Sequence, residues 1–220
     1  MRIALPDKRE VSALLLLPAK AESILVLAHG AGAGMQHPFL ASLSNALAAH
    51  HVATLRYQFP YMERKGRAPD KPAVLMDTVD AAIAVAAVAA PNLPLFAGGK
   101  SMGGRMTSQA AARNSLPGVH GLVFFGFPLH PPGAPGVSRA DHLAKVTIPM
   151  LFLQGTRDTF ADLQLLRPVI SKLGSLPTLH ILDTADHSFH VLKSSKRTDA
   201  DALEELAATT ASWISQNAHN

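Results

Sequence analysis

A serine with glycine two residues before it and two after it, Gly99-Lys100-Ser101-Met102-Gly103, follows the apolar run at residues 93–97 and precedes a stretch of helix-forming residues. That is the G-x-S-x-G pattern of a nucleophile elbow, and its spacing has a steric reason. The chain turns so sharply from strand to helix that side chains at the two flanking positions would strike neighbouring elements, so glycine occupies both. Ser101 is thereby held out from the sheet at the positive end of a helix. Two rival readings of the glycines fail. A phosphate-binding P-loop would need glycine where Pro94 stands, and a dinucleotide fingerprint starting at Gly30 and Gly32 would need its third glycine at Met35.

An activated serine needs a base to take its proton and a carboxylate to orient that base. Two later apolar runs end in suitable residues: 150–154 leads into Gly155-Thr156-Arg157-Asp158, and 179–182 leads into Asp183-Thr184-Ala185-Asp186-His187-Ser188-Phe189. The order Ser, Asp, His matches the order in which such partners follow an elbow serine. Asp158 and His187 are therefore the candidate acid and base. Asp183 and Asp186 compete with Asp158, which could instead cap a helix; His180 and His190 compete with His187. A tetrahedral oxyanion would need backbone donors, one from the residue after the serine, Met102, and one from an early strand-end loop, His29-Gly30-Ala31-Gly32. Ala31 is the expected second donor, with Gly32 next.

These groups require a frame of alternating strands and helices. Short apolar runs at 11–17, 24–28, 52–57, 93–97, 121–125, 150–154 and 179–182 predict strands. Between them, helical spacing recurs over 39–47, 79–87, 102–113, 160–173 and 201–216, with Asp77 and Asp80 expected in a first turn and Asp201-x-x-Glu204 as a capping pattern. Near-continuous apolar strands imply burial on both faces. The predicted class is α/β: a mainly parallel, doubly wound sheet of about seven strands with helices on both faces, in one domain over residues 1–220.

Composition excludes several functions. The 220 residues carry a net charge of +4, but Lys and Arg are scattered with only small clusters, so no nucleic-acid partner is expected. With no cysteine there are no disulfides, thiol chemistry or Cys-ligated zinc. His187 and His190 lack a third ligand at a recognisable spacing, so neither metal nor cofactor is expected. No apolar run approaches membrane-spanning length, and no membrane partner is expected. The run at 11–17 is flanked by Asp7, Glu10 and Pro18, which suit a first strand better than a secretory leader, and a cytoplasmic location is the expectation. Oligomeric state is not legible.

Beyond G-x-S-x-G, the strings His29-Gly30-Ala31-Gly32, residues 56–62 (Arg-Tyr-Gln-Phe-Pro-Tyr-Met), residues 98–105 (Gly-Gly-Lys-Ser-Met-Gly-Gly-Arg), residues 153–158 (Leu-Gln-Gly-Thr-Arg-Asp) and residues 186–189 (Asp-His-Ser-Phe) resemble the α/β-hydrolases. Within them the resemblance is to small dienelactone-hydrolase-related proteins of the KANSL and testis-expressed type. It implies Ser101 as nucleophile, Asp158 as acid and His187 as base, with no departure at these positions, and it implies no particular substrate. The absence of a large insertion between Phe125 and Met150 predicts an open site for a small ester or acyl group. Residues 59–72 and 126–142 are expected to wall it, with Gly32, Tyr61, Met62 and Phe127 as substrate contacts. Arg56, Arg64, Lys65 and Arg67 would attract an anionic substrate if they faced the site. Two functional classes follow: a cofactor-free serine hydrolase, and a binding or scaffold protein on the same fold.

Overall fold

The computed structural model describes residues 1–218. Its sheet has eight strands in the order β1-β2-β4-β3-β5-β6-β7-β8. β1 (Arg2–Ala4) and β2 (Glu10–Leu16) are antiparallel additions at one edge, while β4 (Val52–Tyr57), β3 (Ser23–Ala28), β5 (Leu95–Lys100), β6 (Val119–Phe125), β7 (Met150–Gly155) and β8 (Pro177–Leu182) run parallel. The sheet therefore has one strand more than expected. β1 spans three residues, too few to carry a period-two pattern, and is held by a turn in which the Leu5 N–H donates to the Arg9 carbonyl at 2.8 Å.

Every residue of β3 is buried, because successive side chains enter opposite cores. Ile24 and Val26 pack with Leu122, Phe124 and Phe152 under α3 (Pro72–Ala89), α4 (Met102–Asn114) and α5 (Leu163–Ser171). Leu25 and Leu27 pack with Phe96, Val123 and Leu151 under α1 (Pro38–Ala49) and α6 (Asp199–Asn217). Each such aliphatic side chain contributes about 1.5–3 kcal/mol by leaving water, so the two layers together fix the sheet. A short helix, α2 (Pro60–Glu63), follows β4.

Three helix starts differ from the sequence-based expectation, each for a local reason. α3 begins at Pro72, whose fixed φ and missing N–H suit a first helical position. Asp77 and Asp80 consequently lie inside it, where they bind Arg113 of α4 at 2.9 and 2.6 Å. α5 begins after Asp162, whose carboxylate accepts from the Gln164 N–H at 2.8 Å, rather than at Phe160. α6 is opened by Thr198 and Asp201, which cap each other's backbone, while Glu204 instead meets His50 at 2.6 Å. α3 also corrects the expectation about apolar runs: its 18 residues have a mean hydropathy of 1.7, long and apolar enough by composition to cross a membrane. Its alanines raise that value, and Leu75, Val79, Ala82 and Ala86 face the sheet core.

β5 runs three residues further than expected, through Gly98 and Gly99, which lie beyond the apolar run. They lie inside the strand because the neighbouring backbones leave no space: a Cβ on Gly98 would stand 1.9 Å from the Val123 carbonyl oxygen, and one on Gly99 2.5 Å from that of Ala28. Gly98→Ala is expected to cost at least about 2 kcal/mol in urea unfolding. Gly136→Ala, where a Cβ meets nothing within 4 Å, should change stability by less than about 0.5 kcal/mol.

Candidate active site

The register pairs Ala28 with Gly99, so the loop leaving β3 and the turn leaving β5 emerge side by side at the carboxyl edge of the sheet. In doubly wound folds this is where functional groups gather. Ser101 bridges β5 and α4 with φ 51° and ψ −118°, a conformation that L-residues rarely adopt. The two motif glycines make it possible. A Cβ on Gly103 would stand 2.6 Å from both the Ala28 and His29 carbonyl oxygens, so α4 could not otherwise start this close to β3. The Ser101 N–H donates to the Phe125 carbonyl at 3.1 Å, fixing the turn from the other side.

Three loops bring the predicted polar residues into contact. His187 Nε2 lies 2.9 Å from Ser101 Oγ, and His187 Nδ1 lies 2.7 Å from Asp158 Oδ2. A carboxylate only accepts, so Nδ1 carries the proton and Nε2 is left to accept from the serine hydroxyl. Asp158 has a fully buried side chain, that of His187 is 18% exposed. Burial of a carboxylate demands that its lone pairs be used. Oδ2 also accepts from Gln154 Nε2–H, and Oδ1 accepts from the Phe160 N–H at 2.7 Å. Gln154 is in turn fixed by accepting from the Phe127 N–H at 3.0 Å.

The competing residues are engaged elsewhere. Asp186 shapes the histidine loop by accepting from the Ser188 and His190 N–H groups at 2.8 and 3.0 Å. Asp183 faces Thr156, His180 binds Glu205, and His190 binds Asp199. No cluster of three or more potential metal ligands occurs among the described residues.

On the loop after β3, the Gly32 N–H donates to the Tyr61 hydroxyl at 2.9 Å and the Ala33 N–H to the Gly30 carbonyl at 3.2 Å. Among the described residues the Ala31 N–H has no such acceptor. Met102 is the first residue of α4, where an amide has no acceptor within its helix. Both amides are thus left uncommitted, whereas that of Gly32 is not. The loop is clamped by His29, which is wholly buried. Its Nε2 accepts from the Phe59 N–H at 3.0 Å, so Nδ1 carries the proton and donates to the Gly30 carbonyl at 2.7 Å. Desolvation drives its pKa down to about 4 and holds the ring neutral.

Beside Ser101 lies a cavity of about 270 Å³, lined in part by Ala31, Ala33, Phe39, Leu40, Phe160 and His187. The walls expected at residues 59–72 and 126–142 do not form it. Tyr61 is wholly buried beneath the loop, Phe127 is wholly buried against Phe124 and Phe152, and Met62 and Gly32 are likewise absent from the lining. Phe160 replaces them, its ring centroid 4.2 Å from that of His187. Position alone could have signalled it, two residues after Asp158 on the same loop. The basic residues do not face the cavity: Arg56 donates to the Met35 carbonyl at 3.2 Å, Arg64 pairs with Asp70 at 2.6 Å, and Lys65 and Arg67 are exposed.

A family model described as an alpha/beta hydrolase domain matches residues 21–215, which includes all three polar residues and both loops. The chain belongs to the alpha/beta hydrolase domain family. This alpha/beta hydrolase is similar in fold to a dienelactone hydrolase from Anabaena variabilis, with TM-score 0.77 and 20% identity over 99% of this chain and 96% of that one. It is also similar to a serine hydrolase without lid from Xanthomonas campestris, with TM-score 0.75 and 19% identity over 97% and 93% of the two chains. A cold-adapted esterase from an Arctic intertidal metagenomic library matches with TM-score 0.70 and 19% identity over 99% and 92%.

The low pKa of His29 makes a prediction about acid. The folded state binds fewer protons than the unfolded state between pH about 6.5 and 4, so stability is lost as pH falls through that window. Urea unfolding should show His29 contributing about 3 kcal/mol to that loss. His29→Ala should be less stable than wild type at pH 7 and lose less on acidification; an unchanged slope would contradict the assignment.

Proposed function

We propose that this alpha/beta hydrolase is a serine hydrolase acting on small esters or related acyl compounds through an acyl-enzyme. The observation that carries this reading is the continuous chain Ser101 Oγ, His187 Nε2, His187 Nδ1, Asp158 Oδ2, with links of 2.9 and 2.7 Å. His187 takes the Ser101 proton on Nε2 as Oγ bonds to the substrate carbonyl carbon, and the carbonyl oxygen becomes an oxyanion facing the Ala31 and Met102 amides. The carbon–oxygen bond to the leaving group then breaks, and that alkoxide takes the proton from Nε2. Water enters next: it gives one proton to Nε2 and its oxygen to the acyl carbon, after which the acid product departs and Ser101 recovers its proton. Asp158 holds the tautomer and offsets the transient imidazolium charge. No cofactor takes part.

The structurally similar proteins described above, a dienelactone hydrolase and esterases among them, support this chemistry. The cavity volume of about 270 Å³ supports a small acyl group, since it lies below the usual range for drug-sized ligands.

Wild-type protein is expected to hydrolyse short p-nitrophenyl esters and to be labelled by a fluorophosphonate, with labelling lost in Ser101→Ala. Removing Ser101 or His187 should lower kcat by at least about 10³-fold with little change in fold. Absence of both turnover and labelling in the wild type would favour a binding protein on a hydrolase scaffold. In a series of acyl lengths, kcat/KM should fall beyond about four carbons, and Phe160→Ala should move that limit to longer chains. An unchanged profile would show that Phe160 does not bound the acyl site.

A further inference from the structure

Lys100 is the elbow residue just before Ser101, and it is half-buried and lines the cavity beside that serine. Its ammonium donates to the main-chain carbonyl of His187 at 2.5 Å and lies 5.3 Å from the centroid of the Phe189 ring. Gly126 shows how tightly the groups converge. A Cβ there would stand 3.0 Å from Lys100 Nζ, 3.4 Å from Asp158 Oδ2 and 3.4 Å from His187 Cε1. The charged groups acting on the ammonium are the carboxylates of Asp158 and Asp186, which favour its protonated form, while desolvation outweighs them and lowers its pKa to about 8. A half-buried cation beside a serine–histidine–aspartate chain loses part of its solvation, and its hydrogen bond goes to the backbone of the histidine itself.

We propose that Lys100 is a positioning residue: from the elbow it grips the backbone of His187, so that the hydroxyl and the imidazole are registered by adjacent residues of one turn. The inference rests on the hydrolase reading above. The distance from Ser101 Oγ to His187 Nε2 otherwise depends on two separate loops. The histidine loop carries local strain of its own, with φ 58° at Thr184 and 65° at Phe189. One charge-assisted bond from position 100 ties the two loops at the base, while Asp158 orients the ring from the other side. Misplacement by about 1 Å can cost roughly 10²-fold in rate, so a tether at this point controls kcat more than substrate affinity.

The chain contains no cysteine, which gives a clean test. Lys100→Cys can be alkylated with 2-bromoethylamine, restoring an ammonium at lysine length, or with 1-bromopropane, giving a neutral side chain of the same length. Lys100→Met is a second neutral variant. For a neutral short ester, Lys100→Met and the propylated protein should lose about 10- to 100-fold in kcat with KM within about twofold, and the aminoethylated protein should recover most of the loss.

A second readout does not depend on turnover. The low-field proton resonance of His187 Nδ1–H, assigned by its absence in His187→Ala, should be sharp in wild-type and aminoethylated protein and exchange-broadened in the neutral forms. Equal recovery with propyl would reduce Lys100 to packing and overturn the proposal. So would an unchanged resonance and kcat in Lys100→Met. A rise in KM confined to carboxylate-bearing esters, with kcat intact, would make it a substrate-binding cation instead. If wild-type protein neither turns over esters nor takes the fluorophosphonate, the hydrolase reading fails, and the resonance still decides whether Lys100 tethers His187.

Discussion

The site depends on the close approach of β3 and β5 at their carboxyl ends. There Gly99 and Gly103 lie against the carbonyls of Ala28 and His29 at distances no side chain could share. This contact forces the chain to reverse within one residue, and that residue is Ser101, at φ 51°. It also brings the loop after β3 alongside the first turn of α4. The local strain, of order 1–3 kcal/mol, is sustained by the two hydrophobic layers that lock the strands in register.

Around this turn the polar groups form one continuous system. Gln154 and the Phe160 amide use the remaining capacity of the Asp158 carboxylate, and the Phe127 amide fixes Gln154. Asp186 builds the loop that presents His187, and the Lys100 ammonium reaches that loop from the elbow. A buried carboxylate with every neighbour committed has few alternative arrangements, so the hydroxyl, imidazole and carboxylate are held in one geometry.

What the sequence revealed divides along physical lines. Ser101, Asp158 and His187 were legible because strand-end loops are marked by abrupt changes from apolar to polar and glycine residues, and the elbow spacing has a steric cause. Side-chain direction was not legible. Tyr61 and Phe127 sit in loops near the site and look like any apolar contact, yet one supports the loop from beneath and the other enters the core. Phe160 and His29 were missed as functional parts for the converse reason, since only the folded chain shows a ring against His187 or an imidazole wedged between Gly30 and Phe59. Gly98 lies beyond the apolar run that marks the strand, because its need for glycine comes from a neighbouring strand. Helix starts slipped where short-range caps, such as Thr198 with Asp201, outcompeted the acidic residues that periodicity favoured.

The most direct test of the central claim is a crystal structure of the protein after reaction with a short alkyl phosphonate, a mimic of the tetrahedral intermediate. The account predicts a phosphorus–oxygen bond to Ser101 Oγ, with one phosphoryl oxygen about 2.7–3.1 Å from both the Ala31 and Met102 amide nitrogens. Phosphonate attached to another residue, or a phosphoryl oxygen turned away from those two amides, would contradict it.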